Sequence, residues 1–216
     1  MAYRKTPAVR DRLTAARDRL VDEAITVVAE VGWAQASVTA VAAAAGMSVG
    51  SVYQHFPSKA ALAVEVFRRA AGREADVLGE VLRDSDGDPV ERLAHGVTVF
   101  ARRALESRGV AYALLAAPSE PAVETERLEF RRRYRGMFAE VVREGIAAGL
   151  LPEQDPEVTA AALTGAIGEV LVDPLSGPAE GSDGDRLVAE LAAMSLRCAG
   201  ALPAAPPREL EDSDAQ

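Results

Sequence analysis

The 216-residue chain is predicted to be all-α. Three observations carry that expectation. Apolar residues make up 49% of the sequence but aromatics only 5%, and alanine dominates, a palette of strong helix formers suited to close helix packing. Apolar residues recur at steps of three and four through most of the chain, while no period-two alternation of β-branched residues is sustained. Ser, Gly and Pro stand where helix starts and stops are needed.

In chain order, residues 1–8 read as a flexible basic arm. Residues 9–31 follow as a helix, with Leu13, Ala16, Leu20, Ala24, Val27, Val28 and Val31 at helical spacing and Gly32 as its C-terminal stop. Trp33 is expected to fold back into the core. Ser37 is an N-cap for a short helix in "VTAVAAAAG", which ends at Gly46. Ser48 caps a third helix over 49–55, which Pro57 stops at Phe56. Ser58 caps a long helix beginning at Lys59. Two short helices joined by a tight glycine turn, inside a three-helix unit, are the layout of a helix-turn-helix DNA reader.

After a break at 84–89, the stripe Val90, Leu93, Ala94, Val97, Phe100, Ala101, Ala104 and Leu105 predicts a further helix. Arg108 and Gly109 are read as an interruption before the short apolar helix "VAYALLAAP". A long helix over 123–150 and two more over about 156–173 and 183–201 complete the body. Residues 203–216 are Pro-rich and acidic and are expected to be disordered. The resulting division is an arm over 1–8, a helix-turn-helix domain over 9–59, a larger helical domain over 60–202, and the tail.

Net charge is −9, but it is unevenly spread. Residues 1–59 carry seven Lys/Arg against five Asp/Glu, leaving −11 on the remainder, as for a small basic reader on an acidic body. The single Cys198 excludes an internal disulfide framework, and it is read as a small buried apolar residue. No run approaches the ~18–20 apolar residues of a membrane span. The first 20 residues carry Arg and Asp rather than an apolar leader. The expectation is a soluble cytoplasmic protein without a membrane role. No metal-ligand spacing, phosphate loop or nucleophile–base set is present, so no cofactor, metal or catalysis is expected.

The stretch "SVGSVYQHFPSK" at 48–59 carries the chemistry. A helix entering a major groove needs small residues near its N-terminus so that the backbone can approach, and Val49, Gly50 and Ser51 supply them. Tyr53 and Gln54 follow Gly50 by three and four residues, on the same outward face, while Val52 and Phe56 turn inward. Tyr53, His55 and Lys59 offer donors suited to phosphate oxygens, and Ser37 and Thr39 add hydroxyls at the start of the second helix.

The ordered set Ala24, Val28, Gly32, Ser37, Val41, Ala42, Ala45, Gly46, Ser48, Gly50, Tyr53, His55, Phe56, Ser58, Lys59 and Leu62 resembles the N-terminal domain of TetR-type transcriptional regulators over residues 13–67. That resemblance implies base contacts from Val49, Gly50 and Gln54. It implies phosphate contacts from Ser37, Thr39, Ser48, Ser51, Tyr53, His55 and Lys59. Val49 stands where relatives are often basic or polar, so the operator is expected to differ from theirs; Arg4, Lys5 and Arg10 would add backbone anchoring. The resemblance further implies a repressor that binds a palindromic operator as a homodimer and is released by a small-molecule effector. Rivals are an activator, an enzyme or carrier retaining the motif as a relic, and a protein-binding head.

In the body, Phe100, Tyr112, Leu115, Phe130, Tyr134, Met137 and Phe138 are candidates to line an effector pocket, with plain core packing as the alternative for each. The run "EFRRRYR" either presents Arg131, Arg132, Arg133 or Arg135 to an acidic effector or is a solvated face with partners such as Glu129. His95 falls off its apolar stripe and should be exposed. The last two helices are apolar nearly all round, which calls for cover on both sides, from the protomer or from a second copy. Leu163, Ile167, Val170, Leu171, Leu187, Leu191 and Met194 are taken as the dimer face.

Overall fold

The computed structural model describes residues 7–84, 86–177 and 183–201. The basic arm, apart from its last two residues, and the acidic tail lie outside them. The described residues form nine helices and no strand: α1 (Pro7–Gln35), α2 (Val38–Ala44), α3 (Val49–His55), α4 (Lys59–Arg83), α5 (Pro89–Glu106), α6 (Arg108–Leu115), α7 (Pro121–Ala147), α8 (Pro156–Ser176) and α9 (Gly184–Cys198). The all-α expectation therefore holds.

The three serine caps behave as their positions predict. Ser37 accepts from the Ala40 amide at 3.1 Å, Ser48 from Ser51 at 3.0 Å and Ser58 from Ala61 at 3.1 Å, each closing an otherwise orphan donor of a first helical turn. Gly32 breaks α1 at a φ of 74°, and Gly46 makes the turn between α2 and α3 at 64°, both in the left-handed region that favours glycine. One extra turn, Trp33–Gln35, continues α1 beyond the Gly32 kink.

Some boundaries differ from the sequence reading, for local reasons. Arg108 and Gly109 do not interrupt a helix; they open α6, and the break falls at Ser107. α5 begins with a reciprocal cap in which Asp88 accepts from Val90 and Glu91 while Glu91 accepts from the Asp88 amide. α8 runs past Asp173 through Pro174 to Ser176, because a proline near the C-terminal end removes one ladder bond without unseating the turn.

Two apolar clusters organise the molecule. One joins α1 to α4 through Leu20, Val21, Trp33, Val41, Val52, Phe56 and Phe67, and is closed by Ala113 of α6, Ala117 of the connection after it and Val123 of α7. The other joins α4, α5, α7, α8 and α9 around Leu82, Leu93, Val97, Val142, Leu163 and Leu171. Burying each such leucine or phenylalanine contributes about 1.5–3 kcal/mol. Trp33 is buried as expected, and His95 is exposed. Cys198 is exposed, not buried: Leu191 and Ser195 take the inward face of α9 and leave Cys198 outside it.

α8 is long and apolar enough to cross a membrane by length and composition alone, unlike the expectation above. Its Leu163, Ile167 and Leu171 face is packed into the protomer core, and Glu157, Glu169 and Asp173 are exposed on the opposite side.

Candidate functional site

The cap at Ser48 fixes where α3 starts, and its apolar residues fix its rotation. Val52 (1% exposed) and Phe56 (4%) anchor it, with the Arg17 guanidinium 4.8 Å from the Phe56 ring centroid. The outward face is consequently Val49, Gly50, Tyr53 and Gln54, all exposed. Ser51 and His55 flank it, half-buried, and the Ser48 and Ser51 hydroxyls bond each other at 2.9 Å. Ser37 and Thr39 are exposed at the start of α2.

Gly50 stands on the exposed face of α3. A Cβ built there meets only Ser48 Oγ, at 3.8 Å, so no packing inside the protein asks for glycine. A helix-interior glycine costs about 0.5–1 kcal/mol relative to alanine. What it provides is a bare strip of backbone on an exposed face, as close approach to a duplex requires.

Lys59 is half-buried at the N-terminus of α4 and is engaged within the protein. Its Nζ lies 3.4 Å from the Glu120 carboxylate, at the N-cap of α7. Sequence reasoning gave Lys59 to phosphate and had no signal for this long-range partner. Acidic residues of α1 are answered from α4: Asp18 by Arg69 at 2.6 Å and Asp22 by Arg73 at 2.7 Å. The charges of the head are therefore partly neutralised by arginines beyond residue 59.

The second feature is a cavity of about 80 Å3 between α4, α5, α6, α7 and α8. Of the seven aromatic and aliphatic candidates, Phe100, Leu115, Phe130, Tyr134 and Phe138 line it. Tyr112 and Met137 do not: Tyr112 packs between the two cores, and Met137 sits against Gly79, where a Cβ would lie 3.1 Å from its sulfur. Phe67 and Leu78 join the wall from α4, and Thr164 and Ile167 from α8. Phe100 and Tyr134 meet edge to face at 5.7 Å.

Polar groups on this wall were missed from sequence. Arg103 grips Glu74 in a two-pronged pair, 2.7 and 2.8 Å, and this bond raises the Arg103 pKa further. Arg127 donates to the carbonyls of Ala113, Leu114 and Ala117 and to the Glu124 carboxylate, so it satisfies the open C-terminal end of α6. Burial alone would push Glu124 up, but bonds from Ser119 and Arg127 outweigh it and hold the carboxyl below its usual range.

Head and cavity share atoms. The Trp33 indole donates to the Ala113 carbonyl at 2.9 Å, the same oxygen that accepts from Arg127 at 3.1 Å. Trp33 also faces Phe67 at 6.3 Å, and Phe67 meets Phe130 edge to face at 5.8 Å. Phe67 and Phe130 both line the cavity.

Of the residues taken as a dimer face, Leu163, Ile167, Leu171 and Leu191 lie inside the protomer core, at 3% exposure or less. That expectation is corrected for these four, because a side chain already enclosed has no surface left for a second copy. Leu187 and Met194 pack half-buried against the same core. Val170 alone of the set is outward, together with Val158, Ala162 and Gly165.

Residues 20–66 match the family model for bacterial regulatory proteins of the tetR family, and residues 86–171 match that for tetracyclin repressor-like C-terminal domains. Together they span well over half of the chain. The chain belongs to the tetR family. That family is one of transcriptional regulators and not of enzymes.

The HTH-type transcriptional repressor KstR2 of Mycolicibacterium smegmatis is 28% identical over 141 residues, covering 62% of this chain and 66% of KstR2, just under two thirds of its length. Among solved structures, the fatty acid degradation regulator FadR of Bacillus halodurans aligns with a TM-score of 0.71 at 24% identity, over 86% of this chain and 99% of that one. FadR of Bacillus subtilis in complex with stearoyl-CoA aligns with a TM-score of 0.72 at 21% identity, over 86% and 98%. At these identities the two structures establish the shared fold.

Proposed function

We propose that this tetR-family member is a homodimeric repressor that binds a palindromic operator and is released when a small molecule occupies the cavity. In this reading residues 9–59 are the DNA-binding head and 60–202 the effector and dimerisation body. Val49, Gly50 and Gln54 read bases; Ser37, Thr39, Ser48, Ser51, Tyr53, His55 and Lys59 hold phosphates. Phe100, Leu115, Phe130, Tyr134 and Phe138 contact the effector. The outward strip of α8, Val158, Ala162, Gly165 and Val170, joins the two copies, its small residues allowing close helix approach. KstR2 is named a repressor, and B. subtilis FadR carries a ligand with a long apolar chain; both support the reading.

One observation carries the coupling: Phe67, which lines the cavity, packs against Trp33 of the head, and the Ala113 carbonyl accepts from both Trp33 and the cavity-lining Arg127. A ligand that displaces Phe130 or Arg127 alters what Trp33 rests on, and Trp33 sits where α1 ends and the helix-turn-helix begins. The ligand shifts the equilibrium only by its preference for the released arrangement.

Fluorescence anisotropy on duplexes from the DNA flanking the gene, across a salt series and beside Tyr53→Ala, tests this. Expected is tight, salt-sensitive binding that the substitution weakens at least about tenfold. Failure to bind random duplex even at low salt would overturn the DNA-binding reading.

A further inference from the structure

The proposed effector pocket carries one charge that the protein leaves unanswered. Four ionisable side chains other than tyrosine line it: Glu74, Arg103, Arg127 and Arg131. Glu74 and Arg103 neutralise each other. Arg127 is spent on three carbonyls and on Glu124. Arg131, exposed on α7 and one turn beyond Arg127, has no hydrogen-bond or ion-pair partner among the described residues. Glu124 lies within its electrostatic reach but is held by Ser119 and Arg127.

The arginine run "EFRRRYR" is thereby resolved side chain by side chain. Arg132 pairs with Glu129 at 2.7 Å and Arg133 with Asp76 at 2.6 Å, so these two belong to the solvated face. Arg135 is exposed and does not line the cavity. Arg131 alone of the four does. Beside it Tyr134 lines the wall with no hydrogen-bond partner among the described residues, and burial raises its pKa, leaving a neutral hydroxyl able to donate. An apolar wall with one free guanidinium and one free hydroxyl donor suits a ligand that is greasy over most of its length and acidic at one end.

We propose that the pocket selects amphipathic anions, with Arg131 taking the carboxylate or phosphate head and the Phe100–Phe130 region taking the apolar body. This rests on the effector-pocket reading above. It also means that the pocket reverses the sign of the chain's net charge of −9.

Three probes share one apolar body and differ in head charge: decanoate, decan-1-ol and decylammonium. Calorimetric titration of the full chain should rank decanoate tightest and decylammonium weakest, with decanoate about fivefold ahead of the alcohol, the scale of a partly exposed ion pair. Arg131→Gln should erase that lead while leaving decan-1-ol within twofold of its original affinity. Equal binding of decanoate and decan-1-ol by the original chain would overturn the anion selectivity and leave the pocket reading standing. So would a lead that survives Arg131→Gln. If none of the three binds, both fall.

Discussion

Gly50 and Lys59 define what single residues contribute to the outward face of the head. Only Ser48 Oγ, at an ordinary contact distance of 3.8 Å, borders the space a Gly50 Cβ would fill, so Gly50→Ala should raise the thermal midpoint slightly, by the ~0.5–1 kcal/mol that alanine gains in a helix. The same change should weaken operator binding about tenfold, the scale of one lost base contact. Opposite signs in thermal melting and in anisotropy would mark the position as functional; a loss of stability would place its role in folding. Lys59 poses a competition. Its ammonium pairs with Glu120, and in the proposed reading a DNA phosphate would compete for it. Glu120→Gln should therefore tighten DNA binding two- to fivefold, the range of a half-exposed ion pair, in a titration at fixed salt. Unchanged or weaker binding would show that the pair supports the head rather than holding it back.

At the scale of elements, the contact between α1 and α6 brings backbone against backbone. A Cβ at Gly109 would lie 2.3 Å from the Ala29 carbonyl oxygen, so the two backbones touch and only glycine fits. Backbone cannot move aside as a flexible side chain does. Gly109→Ala should cost about 1–3 kcal/mol in chemical denaturation, as overpacking does. It should also displace α6 from Trp33, which a shift of the single tryptophan's emission would report. If stability and emission are both unchanged, α6 is not seated on α1 as described. The C-terminal end of α6 is held from both sides, by Trp33 from the head and by Arg127 from the cavity wall. An element clamped in this way touches both regions, and in the proposed function it is the route from a ligand beside Arg127 to the helix-turn-helix.

For the whole molecule, the proposed dimer face is the outward strip of α8. Val158 is 65% exposed and Val170 40%, values that leave apolar surface in water unless a second copy covers it. Val158→Asp with Val170→Asp should leave the protomer folded, since neither side chain belongs to the core. Light scattering after size exclusion should then give a monomer where the original chain gives a dimer. Affinity for a palindromic operator should fall about 10²-fold or more, because the second head no longer binds at the effective concentration the dimer provides. A dimer that survives the double substitution would move the interface elsewhere.

The helices, their serine caps and the orientation of α3 were legible in the sequence because each is set by neighbours a few residues away. Ser48 reaches Ser51, Gly46 makes its own turn, and Val52 with Phe56 fixes which side of α3 faces out. Five of the seven candidates line the cavity for a related reason: large apolar side chains at helical spacing in an Ala-rich body either fill the core or wall a gap in it. Which of those two fates each met was not written locally, and Tyr112 and Met137 met the other one. α8 is apolar nearly all round, so composition could not say which side is enclosed; packing on α7 and α9 enclosed Leu163, Ile167 and Leu171 and left Val158 and Val170 outside. Tertiary structure likewise chose Glu120 for Lys59, and among the described residues gave ion-pair partners to Arg132 and Arg133 but not to Arg131. Short-range hydrogen bonds and periodicity are properties of a segment. Which face is covered, and which charge is answered, depends on residues that only the folded chain brings together.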